Sequence, residues 1–117
     1  IIMQEDYFEP GMKVCNIGIF YGEMYKGFDN SQYLEYLNSF NIDKNKKYKA
    51  LSRGMKIKLQ LAFALSHNAK LFLFDEPTAG MDEHFREEFY KLCAQIVSTG
   101  DRSILIASNI TISIITP

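Results

Sequence analysis

The stretch Leu71-Phe72-Leu73-Phe74-Asp75-Glu76-Pro77 constrains this chain more than any other part of it. Four large apolar residues between Lys70 and Asp75 suit a strand of a parallel sheet, because strands covered on both faces are continuously apolar rather than alternating. Pro77 has no amide hydrogen and a fixed φ, so it forbids simple continuation of the strand. Two adjacent carboxylates at the carboxyl end of such a strand fall where open α/β sheets bind ligands. There Asp75 can hold Mg²⁺, directly or through water, and Glu76 can polarise the water that attacks a terminal phosphate. The same residues could instead close an ordinary core strand in a solvated acidic turn, and the short motif alone does not separate the two.

The residues upstream favour the first reading. Leu51-Ser52-Arg53-Gly54-Met55-Lys56 opens a segment whose apolar residues Leu59, Ala62 and Phe63 recur at helical spacing, continuing to Ser66. Ser52 stands at the N-cap position. Its hydroxyl, the flexible Gly54 and the unpaired amides of the first helical turn make an anion site, which the helix dipole reinforces. A phosphate is the natural guest.

With these residues in series the chain resembles the ATPase subunit of ABC transporters. Leu51-Ser52-Arg53-Gly54 is similar to the family's signature motif, Leu61 to His67 to the helix after it, Leu71 to Glu76 to the Walker B strand and catalytic glutamate, and Ala79-Gly80-Met81-Asp82 to the D-loop. Gln4 and the residues after it, Glu5 to Val14, resemble the Q-loop, although Gln4 could also be a plain polar residue near a chain end. The resemblance implies an α/β fold. It comprises part of a P-loop NTPase-type parallel sheet, with the Walker B strand and the following strand, and an α-helical subdomain. Residues from about 10 to 66 would form the helical subdomain with the signature, and from about 67 to 117 part of the RecA-like core.

The same resemblance implies the chemistry. Asp75 would serve Mg²⁺ and Glu76 the attacking water, with Gln4 contacting Mg²⁺ or that water. Ser52, Arg53 and Gly54 would bind ATP held by the opposite subunit, and Asp82 would connect the two sites. Asn109 stands where the family places a switch histidine that contacts the γ-phosphate; an asparagine amide can donate a hydrogen bond but cannot carry a proton. No Gly-x-x-x-x-Gly-Lys-Ser/Thr phosphate loop occurs in the sequence, so the chain reads as the middle and later part of a longer ATPase domain. The expected function is ATP hydrolysis coupled to transport in a bacterial transporter of exporter type. Two such subunits would close head to tail and drive separate permease subunits from the cytoplasmic face of the membrane. A non-transport ATPase of the same superfamily, or a catalytically inactive regulatory module, are the alternatives, and the 117 residues alone are expected to hydrolyse no ATP.

Composition bounds the remaining classes. With 47% apolar and 23% charged residues and a formal net charge of -1, the chain is globular and carries no basic groove for nucleic acid. Lys44, Lys46, Lys47 and Lys49 form the one local cationic cluster, read as a solvated turn. Cys15 and Cys93 have no metal-ligand spacing and are expected to be free thiols in a reducing compartment. The apolar segments are too short and interrupted to cross a membrane.

Periodicity places helices over Val14–Met24, with Ile17, Phe20, Tyr21 and Met24 on one stripe for which core packing is favoured over a binding surface, and over Asp29–Phe40, with Ser31 as a plausible cap. A further helix over Glu83–Ser98 would turn Phe85, Phe89, Leu92, Cys93 and Ile96 inward, and Ser103 to Ser108 would form a second buried strand. The apolar tail from Ile110 to Pro117 lacks the polar helix that the family places next. Neither His67 nor His84 receives a chemical role.

Overall fold

The structure is a computed structural model of the chain and describes residues 2–3, 7–67, 71–75, 78, 80–98, 103–107 and 112–115. The chain divides into two compact units, residues 5–68 and residues 1–4 with 69–117.

The second of these units is built on a four-stranded sheet in the order β1 (Ile2–Met3), β2 (Leu71–Asp75), β3 (Ser103–Ala107), β4 (Ile112–Ile115). β2 lies between β1 and β3 and runs parallel to both, as its unbroken apolar run requires. The helix α4 (Glu83–Ser98) makes the crossover from β2 to β3. It buries Phe89, Cys93 and Val97, spaced four apart along one face. Phe85, Leu92 and Ile96 are only half-buried, so the inward face is rotated toward Val97 relative to the expected one. Burial pushes the Cys93 thiol up to about 12, which leaves it protonated and inert. The tail, expected to be merely apolar, forms β4, which pairs antiparallel with β3 from Ile104–Ile115 to Ala107–Ile112. Its β-branched residues suit a strand better than the helix whose absence the sequence signals.

Residues 5–68 form a helical unit of α1 (Val14–Gly22), α2 (Asn30–Ser39) and α3 (Arg53–Leu65), with a single 3₁₀ turn at Tyr48–Ala50. The spine is α3. From Leu59 to Leu65 every residue is buried, the pattern of a helix covered on all sides. Phe63 sits at the centre of an aromatic cluster, its ring centroid 5.0 Å from Phe28, 5.1 Å from Phe8, 4.9 Å from His67 and 5.8 Å from Tyr25, mostly edge-on. Such contacts are favourable beyond the apolar area that they bury. Tyr33 O–H donates to the Val14 carbonyl at 2.8 Å, tying α2 to α1, and Asp29 N–H donates to the Ser66 carbonyl at 2.8 Å, tying the start of α2 to the end of α3.

Local chemistry sets the helix ends. Asp29, not Ser31, caps α2: its Oδ1 accepts from Ser31 N–H at 2.9 Å and from Gln32 N–H at 3.2 Å. Ser31 lies inside the first turn, and a carboxylate is the stronger cap at the positive pole of the helix. At the other end Asn41 takes φ 60°, Asn41 N–H donates to Asn38 O and Ile42 N–H to Leu37 O, the Schellman pattern, with Ile42 and Leu37 both buried. The helix α1 stops at Gly22, and Phe20 and Met24 are 53% and 62% exposed rather than inward. The buried face of α1 is Val14, Ile17, Gly18 and Gly22, because two glycines let the backbone approach Tyr33 and Phe28 closely.

Gly18 therefore carries a test of this packing. A Cβ there would collide with Asn30 Oδ1 and the Tyr33 ring, whereas one at Gly11 would lie 3.9 Å from Glu9 Oε1 in ordinary contact. Helix propensity alone favours alanine at Gly18 by about 1 kcal/mol. The clash reverses that sign: Gly18→Ala is expected to lose about 1–3 kcal/mol in denaturant unfolding, and Gly11→Ala to stay within about 0.5 kcal/mol of the parent. Equal stability of the two variants would contradict the close approach of α1.

His67 supplies a pH dependence. It is 4% exposed, its Nδ1 donates to the Phe63 carbonyl at 2.8 Å, and its ring meets the edges of Tyr25 and Phe28. Burial lowers its pKa from the ordinary 6.5, outweighing the carbonyl bonds that act the other way. The native state thus prefers the neutral ring while the unfolded chain takes up a proton near pH 6.5. Its contribution to stability is full above that pH and is lost as the pH falls toward the lower native value. Unfolding free energy should drop as the pH falls through the ordinary 6.5, and drop less in His67→Gln, which keeps an N–H donor without titrating. Parallel pH profiles for the two proteins would show that His67 is not responsible.

Candidate functional site

Ser52 begins the site in the helical unit. Its backbone is extended, with φ -63° and ψ 162°, and its Oγ accepts from Met55 N–H at 3.1 Å, so it caps α3 as the sequence indicates. An oxygen that accepts from the helix still has its own hydrogen to donate. Ser52 is exposed, and Arg53, Gly54, Met55 and Lys56 are half-exposed, in contrast to the buried stretch that follows. Among the described residues nothing bonds the Gly54 N–H. The first turn holds no acid. Hydroxyl, free amide, helix dipole and the charges of Arg53 and Lys56 therefore converge on one exposed turn suited to an anion of phosphate type.

Two residues that support this turn were not singled out from the sequence. The Lys56 ammonium lies 5.3 Å from the centroid of the Tyr48 ring, and Gln60 Nε2 donates to the Tyr48 hydroxyl at 3.3 Å. Tyr48 and Gln60 are both buried, and their bond holds the 3₁₀ turn under the start of α3. A legible signal existed in Gln60, the one polar residue between Leu59 and Leu61 in an otherwise apolar run, since a buried amide needs a partner.

In the sheet unit, Asp75 is the last residue of β2 and pairs in register with Ala107, the last residue of β3. The carboxyl ends of two parallel strands thus coincide, the edge at which open α/β sheets bind ligands. Asp82 caps α4, its Oδ1 accepting from Phe85 N–H at 2.8 Å, and the turn before it contains Gly80 at φ 78° and a buried Thr78 whose carbonyl accepts from Met81 N–H. One Asp82 oxygen is committed to the helix, so its place at the turn is fixed by capping. Gln4, Glu76 and Asn109 lie outside the described residues. The structure brings Ser52, Arg53 and Gly54 together in one unit and places Asp75 and Asp82 in the other. Among the described residues no group of three or more His, Cys, Asp or Glu forms a metal cage. Asp75 fits the usual habit of Mg²⁺, which is held by one or two carboxylates with water and phosphate oxygens as its other ligands.

The helical unit also has an open cleft of about 300 Å³ between α1 and the start of α2, lined by Gly18, Ile19, Gly22, Glu23, Phe28 and Asn30. Asn30 Oδ1 is buried there without a hydrogen-bond partner. Cleft-lining Ile19 is 56% exposed, and Met24 follows just beyond the helix end.

Comparison with known proteins joins these pieces. Residues 1–79 match the family described as ABC transporter. The chain is 37% identical over 86 residues to the ABC transporter ATP-binding protein YtrB of Bacillus subtilis, covering 74% of this chain and 30% of that protein. It is 35% identical over 80 residues to the ribose import ATP-binding protein RbsA of Caldanaerobacter subterraneus, covering 68% of this chain and 16% of that protein. It thus spans less than a third of either relative. Among solved structures, cbiO1 of Clostridium perfringens, part of the ABC transporter complex cbiONQ, superposes with a TM-score of 0.74 at 23% identity over 92% of this chain and 45% of that one. The fold is accordingly part of a P-loop NTPase sheet together with a helical subdomain, and the chain belongs to the ABC transporter family, matching part of its ATP-binding domain.

Proposed function

We propose that this chain carries the part of an ATP-hydrolysing transporter subunit that completes the nucleotide site of a second, identical or related subunit. The observation that carries this reading is the exposed, Ser52-capped start of α3, with its free Gly54 amide and no acid in the first turn. In the closed head-to-tail pair, Ser52 donates its hydroxyl hydrogen to a γ-phosphate oxygen, the Gly54 amide donates to another, and Arg53 adds charge at the rim. Asp75 and Gln4 would hold Mg²⁺, which would supply positive charge to neutralise the phosphates. Glu76 orients the attacking water and takes its proton. The Asp82 oxygen left over from capping α4 contacts the facing subunit, and the Asn109 amide donates to the γ-phosphate.

The cleft beside α1 supports a permease contact. Its apolar walls, open mouth and unbonded Asn30 acceptor suit an apolar helical segment with a donor at its tip, and cbiO1 is described as part of a transporter complex. No helix among the described residues is long and apolar enough to cross a membrane, and the permease contact would hold the subunit at the cytoplasmic face. The resemblance of Leu51-Ser52-Arg53-Gly54-Met55 and Asp75 to Gly80 to the same segments of exporter-type ATPases supports the exporter type. A second reading, a catalytically inactive module, is favoured by Asn109, which cannot carry the proton of a histidine.

Turnover and pairing of the full-length protein distinguish these readings. Glu76→Gln should lower ATP hydrolysis roughly a hundred- to ten-thousand-fold while preserving an ATP-dependent dimer on size exclusion. Adding Ser52→Arg or Gly54→Asp to that variant should abolish the dimer without abolishing ATP binding, through bulk in one case and like-charge repulsion in the other. Near-normal hydrolysis by Glu76→Gln would remove Glu76 from the chemistry, and dimers unaffected by the α3 changes would remove the signature. A parent that binds ATP and pairs but never turns over would establish the inactive module.

A further inference from the structure

Lys13 and Lys47 face each other across an isolated antiparallel bridge. The segments on either side are pinned by backbone bonds from Val14 N–H to Lys46 O at 2.8 Å, Cys15 N–H to Lys44 O at 2.9 Å, Tyr48 N–H to Met12 O at 2.9 Å and Lys49 N–H to Pro10 O at 2.9 Å. The result gathers Lys13, Lys44, Lys46, Lys47 and Lys49 along one narrow ribbon, all of them exposed. In a chain with 13 basic residues and a formal net charge of -1, positive charge is concentrated here rather than spread. Among the described residues no carboxylate pairs with any of the five.

This arrangement works against the isolated protein in two independent ways. Like charges placed directly opposite in an antiparallel pair repel. The ribbon also crosses the start of α1, whose N-cap is Lys13 and whose first turn has no acid, so the lysines stand at the positive pole of that helix. The first amides of α1 are already bonded to the Lys46 and Lys44 carbonyls, and the lysine side chains are therefore the recognition element. An external anion would relieve both conflicts.

The make-up of the patch selects the class of anion. It contains no arginine and so offers no planar fork for bidentate recognition of a particular carboxylate or phosphate; lysines supply hydrated point charges suited to a diffuse negative field. No exposed aromatic is interleaved, since Tyr48 is 3% exposed, and the stacking platform that single-stranded nucleic acid uses is missing. Phe20 is 53% exposed on α1, the helix that Lys13 caps, and adds apolar surface to that element. We propose that the ribbon of Lys13, Lys44, Lys46, Lys47 and Lys49 is a docking surface for the anionic headgroups of a lipid membrane. None of the five lysines lines the cleft beside α1 or belongs to the Ser52–Lys56 turn, and the proposal rests on the transporter reading only in placing the protein beside a membrane.

Co-sedimentation of the full-length protein with vesicles, without permease or nucleotide, tests the surface separately from ATP-driven pairing. Binding is expected to vesicles of phosphatidylcholine and phosphatidylglycerol in a three-to-one ratio, not to phosphatidylcholine alone, and to fall as salt is raised. Each lysine removed should lower the partition coefficient about five-fold. Lys46→Glu with Lys47→Glu should lower it more than ten-fold while leaving the melting temperature unchanged or higher, because Lys47→Glu sets a carboxylate opposite Lys13. Lys44→Gln with Lys49→Gln, away from the bridge, removes two charges without reversing them and should weaken binding about 25-fold, less than the Glu pair. Equal binding to neutral vesicles, salt-independent binding, or unchanged binding by both variants would overturn the proposal. So would failure to bind vesicles by a protein whose lysines instead capture an acidic peptide or RNA.

Discussion

Burial of α3 on all sides from Leu59 to Leu65 is the constraint on which the helical unit depends. A helix is a stiff rod, so holding one half of it inside a core fixes the direction and position of the other half. The half left over is the exposed turn from Ser52 to Lys56, with the candidate anion donors. Removing seven consecutive apolar or amide side chains from water is a large favourable term, and Phe63 alone, if truncated to alanine, would be expected to cost about 3–5 kcal/mol. The chemistry of the turn thus rests on hydrophobic packing one to three helical turns away.

The two ends of α3 are treated differently for a physical reason. At its buried end the last carbonyls meet internal partners: Phe63 O accepts from His67 Nδ1, Ala62 O from Ser66 Oγ at 2.8 Å, and Ser66 O from Asp29 N–H. Buried carbonyls without partners would be costly, so these bonds are a condition of the burial. At the solvent end the amides are only partly satisfied, by Ser52 Oγ and Ser52 O, which water tolerates and an anion can exploit. The same logic separates the lysine ribbon from the signature turn. There the first amides of α1 are closed by carbonyls, and the excess charge resides on side chains.

Much of this was legible in the sequence where one local rule dominates. Glu83–Ser98 reads as α4 and is α4, because amphipathic spacing and an acid in the first turn agree. Ser52 reads as an N-cap and is one. The run Leu71 to Phe74 reads as a parallel strand and pairs as one on both sides. The misreadings arise where tertiary context chooses among local options. Asp29 and Ser31 are both acceptable caps, and the bond from Asp29 N–H to Ser66 O decides for Asp29. Phe20 and Met24 share a plausible stripe with Ile17, yet the buried face of α1 runs through Ile17, Gly18 and Gly22, where the backbone comes close to Tyr33 and Phe28. The strand β4 was hidden because an apolar tail has no periodicity until β3 offers it an edge. Motif order carried the family where no single residue could. The residues that support the Ser52 turn were less visible, Gln60 standing out only as an amide within an apolar run and Tyr48 not at all.

Amide hydrogen exchange tests the central claim, that a buried helix half presents an open, anion-binding start, on the full-length protein. Without nucleotide, amides from Leu59 to Leu65 should exchange only on global unfolding, while those from Arg53 to Lys56 exchange quickly. With Mg-ATP in the Glu76→Gln background, the peptide spanning residues 51–58 should become protected at concentrations where subunits pair, and lose that protection when Gly54→Asp is added. Unchanged exchange in that peptide, while ATP protects other segments of the same protein, would contradict the account.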